Sequence, residues 1–426
     1  MDTEHRGTFA SLRVRNFRLF VVGQLLSNVG TWMQLIALPL LVLQMTNSGV
    51  ALGLVTALGY LPILLFGAWG GVLADRVDNW RLLLWTQLGF AALAFALWAV
   101  VATGVATVWM VYVLTFATGV VTAVDMPTRQ SFYLELVGRD DLTNAMSLNT
   151  ATFTGARIVG AALGGALVAW IGLAPLFLVN GISYMAVLVA LLAMRRADLH
   201  PRELVPRAKG QIREGIRYVW ETTPLRVPMI AMLVVFTFAF NWQVLIPLYA
   251  TRDLGGHAGL FGAIMAVFGV GSLAGALIMA GRSSRPNPRR LAVLSLALAA
   301  CTVAMVAVLT PGVAFAGAAL VGAAGIAFAI TANSTLQLTA DERMRGRVMS
   351  LYSVIFLGST PIGGALAGVV GEAWGARAGL ILGAAAAAIA GVWLLARVRA
   401  GGVTVPAAVP VARPAAQPDA ADAAGS

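Results

Sequence analysis

Two ionisable side chains stand inside long apolar runs of this chain, Asp125 and Arg157. Holding a charge at the depth of a bilayer core costs roughly 2.5–3.5 kcal/mol even on lenient scales, so such residues mark binding, ion movement or an ion pair between helices. Asp125 falls toward one end of its run, and Arg157 falls near the middle of the next. Arg157 must meet a carboxylate, helix carbonyls, cavity water or a solute. Asp125 is the one carboxylate inside the apolar runs of the first half of the chain. Outside that pairing, the charge on Arg157 favours an anionic or strongly hydrogen-bond-accepting solute. Polar side chains at comparable depth are candidates for lining a solute path: Gln24, Asn28, Gln34, Asn149, Thr154, Asn241 and Gln243, with Tyr60 and Trp242 for apolar contact. Each amide competes with a simpler use as a hydrogen bond between helices. A further cluster, Asp75, Arg76 and Arg81, is pinned at the end of an apolar run just after Gly67 and Gly71, whose spacing lets another helix approach closely.

No catalytic set can be assembled from the remaining residues. The three histidines, His5, His200 and His257, lie in polar segments without metal-ligand spacing. The chain contains no glycine-rich phosphate loop with a lysine, so ATP is not the expected energy source. Cys301 is the single cysteine. We therefore expect no enzyme, no cofactor and no metal site; the work to be done is movement of a solute. The chain has 426 residues, is 59% hydrophobic and only 11% charged, far from the roughly 25% charged residues of soluble domains. Its +11 net charge, carried by arginines apart from Lys209, suits loops held against anionic lipid rather than nucleic acid.

The elements that must position these side chains are helices. About 20 apolar residues cross a bilayer, and the hydropathy pattern predicts twelve crossings at about 17–44, 51–74, 82–103, 108–128, 143–169, 173–194, 227–250, 259–281, 290–309, 313–334, 348–371 and 377–397. The expected class is thus an all-α polytopic membrane protein. Residues 1–16 form a basic arm, 17–194 a first six-helix bundle, 195–226 a linker with an amphipathic helix (Ile212, Ile216 and Val219 on one face), 227–397 a second bundle, and 398–426 a disordered tail. Arginines gather on one side, at 76 and 81, 129 and 139, 195 to 217, 282 to 290 and 343 to 347; the other side carries Arg252 and Arg377. The positive-inside rule then places both termini in the cytoplasm, in a plasma-membrane protein. Trp109, Trp170 and Trp374 fall at the outer ends of their runs. The halves also repeat: Gly67-x-x-x-Gly71 returns as Gly271-x-x-x-Gly275, Met146-Ser-Leu148 as Met349-Ser-Leu351, and Gly160-x-x-x-Gly164 as Gly364-x-x-x-Gly368.

The stretch Gly71-Val-Leu-Ala-Asp75-Arg76-Val-Asp78-Asn-Trp-Arg81 resembles the signature loop between the second and third helices of the major facilitator superfamily. Pro127-Thr-Arg129, the loop from Leu136 to Ala145, and Asn180-Gly-Ile-Ser183-Tyr184 resemble the branch containing the enterobactin exporter and macrolide efflux proteins. Gly160-Ala-Ala-Leu-Gly164-Gly165 is similar to the exporters' helix-five motif, with Ala161 where that motif has proline. The resemblance implies two parallel six-helix halves and a monomer that exports a small molecule, drug-like or a siderophore, by alternating access with protons as the coupling ion. It also implies a gate in which Asp75 approaches the start of segment 11 while Arg76 or Arg81 pairs with Asp125. The alternatives are an importer or facilitator of the same fold, and a non-transporting receptor or scaffold.

Overall fold

In the computed structural model, residues 10–200, 211–280, 288–341 and 344–400 are described. The expected arm before residue 10, the tail after residue 400, Lys209 and residues 281–287 lie outside them. Every long element is a helix: α1 (Arg15–Thr46), α2 (Gly49–Arg76), α3 (Asn79–Ala102), α4 (Val108–Val137), α5 (Leu142–Ile171), α6 (Ala174–Leu192), α7 (Gln211–Glu221), α8 (Thr223–Ala239), α9 (Trp242–Leu248), α10 (Ala258–Ala280), α11 (Pro288–Ala307), α12 (Pro311–Thr339) and α13 (Arg345–Arg399).

The helices start and stop on local chemistry. Asn47 takes a left-handed conformation (φ 45°) that ends α1, and Ser48 caps α2 by accepting from the Ala51 N–H at 3.3 Å. Asp78 caps α3 through the Trp80 and Arg81 N–H groups. Gly138 and Gly172, both at positive φ, end α4 and α5. The seventh crossing, Thr223–Asp253, is built in pieces because Phe240 and Asn241 leave helical geometry between α8 and α9. At 55 residues α13 would be about 80 Å long if straight, far more than the roughly 30 Å bilayer core. Gly375, at φ 85° and ψ 162°, breaks it, so α13 crosses twice. Among the described residues eleven helical stretches are long and apolar enough to span, and this break makes twelve crossings.

The end of one crossing and one face of the linker helix differ from expectation. Segment 4 runs to Val137 rather than 128, because its charged end is buried among neighbours and a hydropathy criterion stops at the first charge. Arg129 consequently lies inside α4 and not in a loop. In the linker helix, Val219 is buried as expected whereas Ile216 is exposed beside exposed Trp220; the side chain of Ile212 is outside the described set. This helix is fastened to the α12–α13 turn by Glu214–Arg347 (2.5 Å) and by the Tyr218 hydroxyl donating to Asp341 Oδ2 (3.1 Å). Partial burial pushes the Tyr218 hydroxyl up, so it stays protonated as that donor.

Within the first half α1 packs on α5 and α6, α2 on α4, and α3 on α6; within the second, α10 packs on α12, and α13 on α8 and α11. Contact between the halves runs mainly through two helix pairs, α2 with α13 and α5 with α10, with smaller contacts of α9 and α10 on the first half. Large apolar side chains cover the outside, and exposed tryptophans ring both ends: Trp109, Trp170 and Trp374 at one, Trp69, Trp85 and Trp220 at the other. Amphipathic indoles at these two levels belong at the membrane–water interfaces.

Candidate functional site

The end of the molecule bearing Glu372 is sealed, and glycine makes this possible. A methyl group on Gly53 would stand 2.6 Å from the Gly364 carbonyl oxygen, and one on Gly368 would stand 2.5 Å from that of Gly49. On the other pair, a methyl on Gly165 would lie 2.5 Å from the Gly262 Cα. Backbones meet directly at both places, so any side chain would force the halves apart. Polar contacts close the same end. Glu372 Oε2 accepts the Gly49 N–H at 2.5 Å, at the N-terminus of α2, and pairs with Arg252 at 3.2 Å. The Arg252 guanidinium also donates to the Asn47 carbonyl. Alongside, Asp253 Oδ2 accepts the Arg377 N–H at 3.1 Å. Asn47 and Gly49 belong to the first half, and Arg252 and Glu372 to the second.

Toward the Asp75 end the inter-half contact thins. A methyl on Gly269 would reach Ile158 at 3.0 Å, but one on Gly155, a turn further along α5, would meet nothing within 4 Å. The α2–α13 pair likewise has Leu64 against Gly358, then nothing near Gly67. Phe153 faces α1, its ring edge-on to Trp32 at 5.7 Å, yet is 47% exposed. Phe153 is thus not enclosed by α1, and on the Asp75 side of the seal the contact between the halves is open at this level.

Most of the polar side chains singled out from the sequence are already engaged. Gln34 Oε1 accepts from Asn180 at 2.7 Å, and Asn149 Oδ1 accepts the Tyr133 hydroxyl at 2.5 Å. Asn241 donates to the Thr237 carbonyl at 2.8 Å, which closes the end of α8. Gln243 donates to the Tyr60 hydroxyl at 3.2 Å, joining α9 to α2 across the halves. Gln24 is buried and accepts from Arg129. Asn28 and Thr154 are partly exposed and make no side-chain hydrogen bond among the described residues. Trp242 packs on Phe268 at 5.5 Å, and its indole N–H is buried without an acceptor.

The expected pairing of Asp125 with Arg76 or Arg81 is not made. Asp125, 4% exposed, accepts from Thr86 at 2.8 Å and Gln87 at 2.9 Å on α3, and pairs with Arg129 one turn along α4. Four residues on a helix bring two side chains together, and the extra length of α4 is what creates this pair. Arg81 instead lies 3.7 Å from Asp78, which also holds Arg196 at 2.5 Å. Arg76 is exposed, Gly71 buried and Asp75 half-buried at the end of α2. Close approach of α2 to α4 falls to Gly70, which lies against Ala123, rather than to Gly67. Arg157 does not meet Asp125 either. Its guanidinium lies 5.9 Å from the centre of the Trp32 ring, and its buried Nε has no hydrogen-bond partner. The helix-five glycines divide their work: Gly160 and Gly164 seat α5 on Val29, Trp32 and Met33 of α1, while Gly165 meets α10.

The family model described as transmembrane secretion effector, a group within the major facilitator superfamily, matches residues 6–418. The chain belongs to this family. Among relatives, it is 29% identical over 374 residues to the multidrug efflux pump Tap of Mycolicibacterium fortuitum, covering 84% of this chain and 90% of that protein. It is 26% identical over 265 residues to the staphyloferrin A transporter of Staphylococcus aureus, covering 62% and 66%. A crystal structure of a bacterial homolog of the human lysosomal transporter Spinster, inward-facing and unoccupied, superposes with a TM-score of 0.73 at 13% identity, over 92% of this chain and 98% of that one. A peptide transporter bound to alafosfalin gives 0.72 at 15% identity, over 92% and 96%. The chain is a multi-pass membrane transporter of this superfamily and not an enzyme.

Residues missed from the sequence are Asn47 and Glu372, which nothing singled out there, Arg252, read only as a turn charge, and Arg129, read as a loop charge. The i,i+4 spacing of Asp125 and Arg129 was the one available signal.

Proposed function

We propose that the protein exports a small organic molecule across the plasma membrane by alternating access of its two halves. The observation that carries this reading is the asymmetry between the ends: backbone contacts and the Arg252–Glu372–Gly49 set seal one, while toward the other the glycine contacts between the halves stop and Asn28 and Thr154 have no side-chain partner among the described residues. The arginine distribution makes the open side cytoplasmic, so solute enters from inside. Relatives that are efflux pumps support outward movement. Protons are the coupling ion in this reading, and Asp125, the acid at membrane depth in the first half, is their candidate carrier. Asp75, Arg76 and Arg81 act at the cytoplasmic gate, where α2 lies along α13. Asp75 has no acidic counterpart in the second half, since the equivalent position is Met279; the gate is one-sided.

The second reading, a facilitator without proton coupling, is favoured by one fact: both oxygens of Asp125 are already engaged by Arg129, Thr86 and Gln87. Proteoliposomes loaded with ethidium decide between them. Exchange of labelled for unlabelled dye shows transport, and acceleration by an imposed pH gradient shows coupling. Exchange indifferent to the gradient selects the facilitator, and no exchange of ethidium or of a wider compound panel removes transport altogether.

A further inference from the structure

The chain buries two arginines among its spanning helices and treats them oppositely. Arg129 is held by Asp125 and Gln24. Arg157, midway along α5, has no carboxylate, carbonyl or hydroxyl bonded to it among the described residues; its Nε is shut away without a partner, and the ring of Trp32 is its one close electrostatic neighbour. Its level is also where the halves separate. Ile158, the next residue, touches Gly269, and Gly155, two residues before, touches nothing across the gap. A guanidinium at this depth either pairs or faces water, and none of the described residues supplies a pairing group.

We propose that Arg157 anchors the carboxylate of a carried solute whose apolar or aromatic body lies against Trp32 and Phe153. This rests on the reading that the cavity between the halves holds the transported molecule. The planar fork of the guanidinium matches a carboxylate with two parallel N–H···O bonds. One positive charge balances one carboxylate; a phosphate dianion would need a second cation, and among the described residues no other cation lies over the Trp32 or Phe153 ring. Trp32 and Phe153 meet edge to face, leaving the exposed Phe153 ring as an apolar wall one helical turn from the charge. Asn28, one turn before Trp32 on α1 and without a side-chain partner, adds an amide on the same face. The Trp242 indole N–H, buried without an acceptor beside Phe268, is a second free donor near the level where α10 closes on α5.

The test compares 2-naphthoate with 2-naphthamide, the same ring with and without the charge, by calorimetry on the full chain in nanodiscs, with empty nanodiscs as the blank. Wild type should bind one naphthoate and hold naphthamide at least about tenfold more weakly, the factor one charge-assisted pair supplies. Arg157→Gln should lose that preference, Arg157→Lys should retain part of it, and Trp32→Leu should weaken both compounds alike. Melting temperatures of the variants report folding, and if Arg157→Gln does not fold, the two compounds on wild type still decide. A wild type that binds neither, or does not distinguish them, leaves water as the only partner of Arg157 and overturns the inference. So does folded Arg157→Gln binding naphthoate as tightly as wild type. Exchange in proteoliposomes is measured separately: naphthoate bound but no compound moved would sink the transport reading and keep the site, whereas ethidium moved without naphthoate binding would do the reverse.

Discussion

Asp125 and Arg129 show what one buried pair asks of its surroundings. Both charges lie deep in the first half, and every oxygen of the carboxylate is used. Removing one member of such a pair leaves the other uncompensated, typically at about 3–5 kcal/mol, whereas replacing both is far milder. Asp125→Asn or Arg129→Gln should therefore each lower the melting temperature of the purified protein, and the double variant should recover most of the loss. A single Asp125→Asn as stable as wild type would show that the pair contributes nothing. At this scale the sequence was partly legible. The two charges inside apolar runs announced themselves, because hydropathy makes an intramembrane charge conspicuous. The amides did not separate into cavity-facing and packing groups: Gln34 and Asn28 sit at similar depth, and only the three-dimensional position of Asn180 commits the first to a helix contact.

Between elements, the joint at the Glu372 end is built from glycine contacts and a small polar set. Glu372→Gln removes the charge facing Arg252 and weakens the acceptor for the Gly49 N–H. Spin labels at Val50 and Trp374, both exposed on the two sides of this joint, should show a larger population of long distances in Glu372→Gln than in wild type; an unchanged distribution would remove this set from the gate. Gly262→Val places a branched side chain against Gly165 and should keep the α5–α10 pair from closing. Transport should be lost at normal expression, and wild-type rates would mean that these backbones need not meet. The centres of the twelve crossings were legible from apolar length alone. Their ends were not, because α4 continues for nine residues beyond 128 with Arg129 and Glu135 folded into side-chain contacts such as Asn79 with Glu135 (2.5 Å). The joint was invisible for a related reason: Asn47 ends α1, Arg252 lies in the π-helical turn Tyr249–Asp253 and Glu372 lies in α13 just before its break at Gly375, and nothing in the order of residues brings these three places together.

For the molecule as a whole, the duplication is visible in contacts as well as in letters. Gly271 and Gly275 set α10 against Ala319 and Ala323 of α12, as Gly70 sets α2 against Ala123 of α4. Two glycines with free space around them provide probes of orientation. A methyl on Gly312 or on Gly346 would meet nothing within 4 Å, and the two lie at opposite ends of the bundle. Cysteine at Gly312 should react in intact cells with an impermeant thiol reagent, and cysteine at Gly346 only after the membrane is opened, with Cys301 replaced beforehand. The opposite pattern would invert the protein and make the cavity a receiver of external solute.

The bare backbone contacts at Gly49, Gly53, Gly165, Gly262, Gly364 and Gly368 have a consequence for the rhythm of the cycle. Closing an ordinary interface freezes rotamers, at about 0.5–1.5 kcal/mol for each long side chain. These six residues have no rotamers to freeze. If the joint parts and meets again as proposed, this term costs it little conformational entropy, leaving the polar set at Glu372 to separate its two positions in free energy. A solute or ion then needs only a modest preference for one position to turn the machine over, and a protein that works thousands of times without being remade benefits from a hinge that stores almost nothing between strokes.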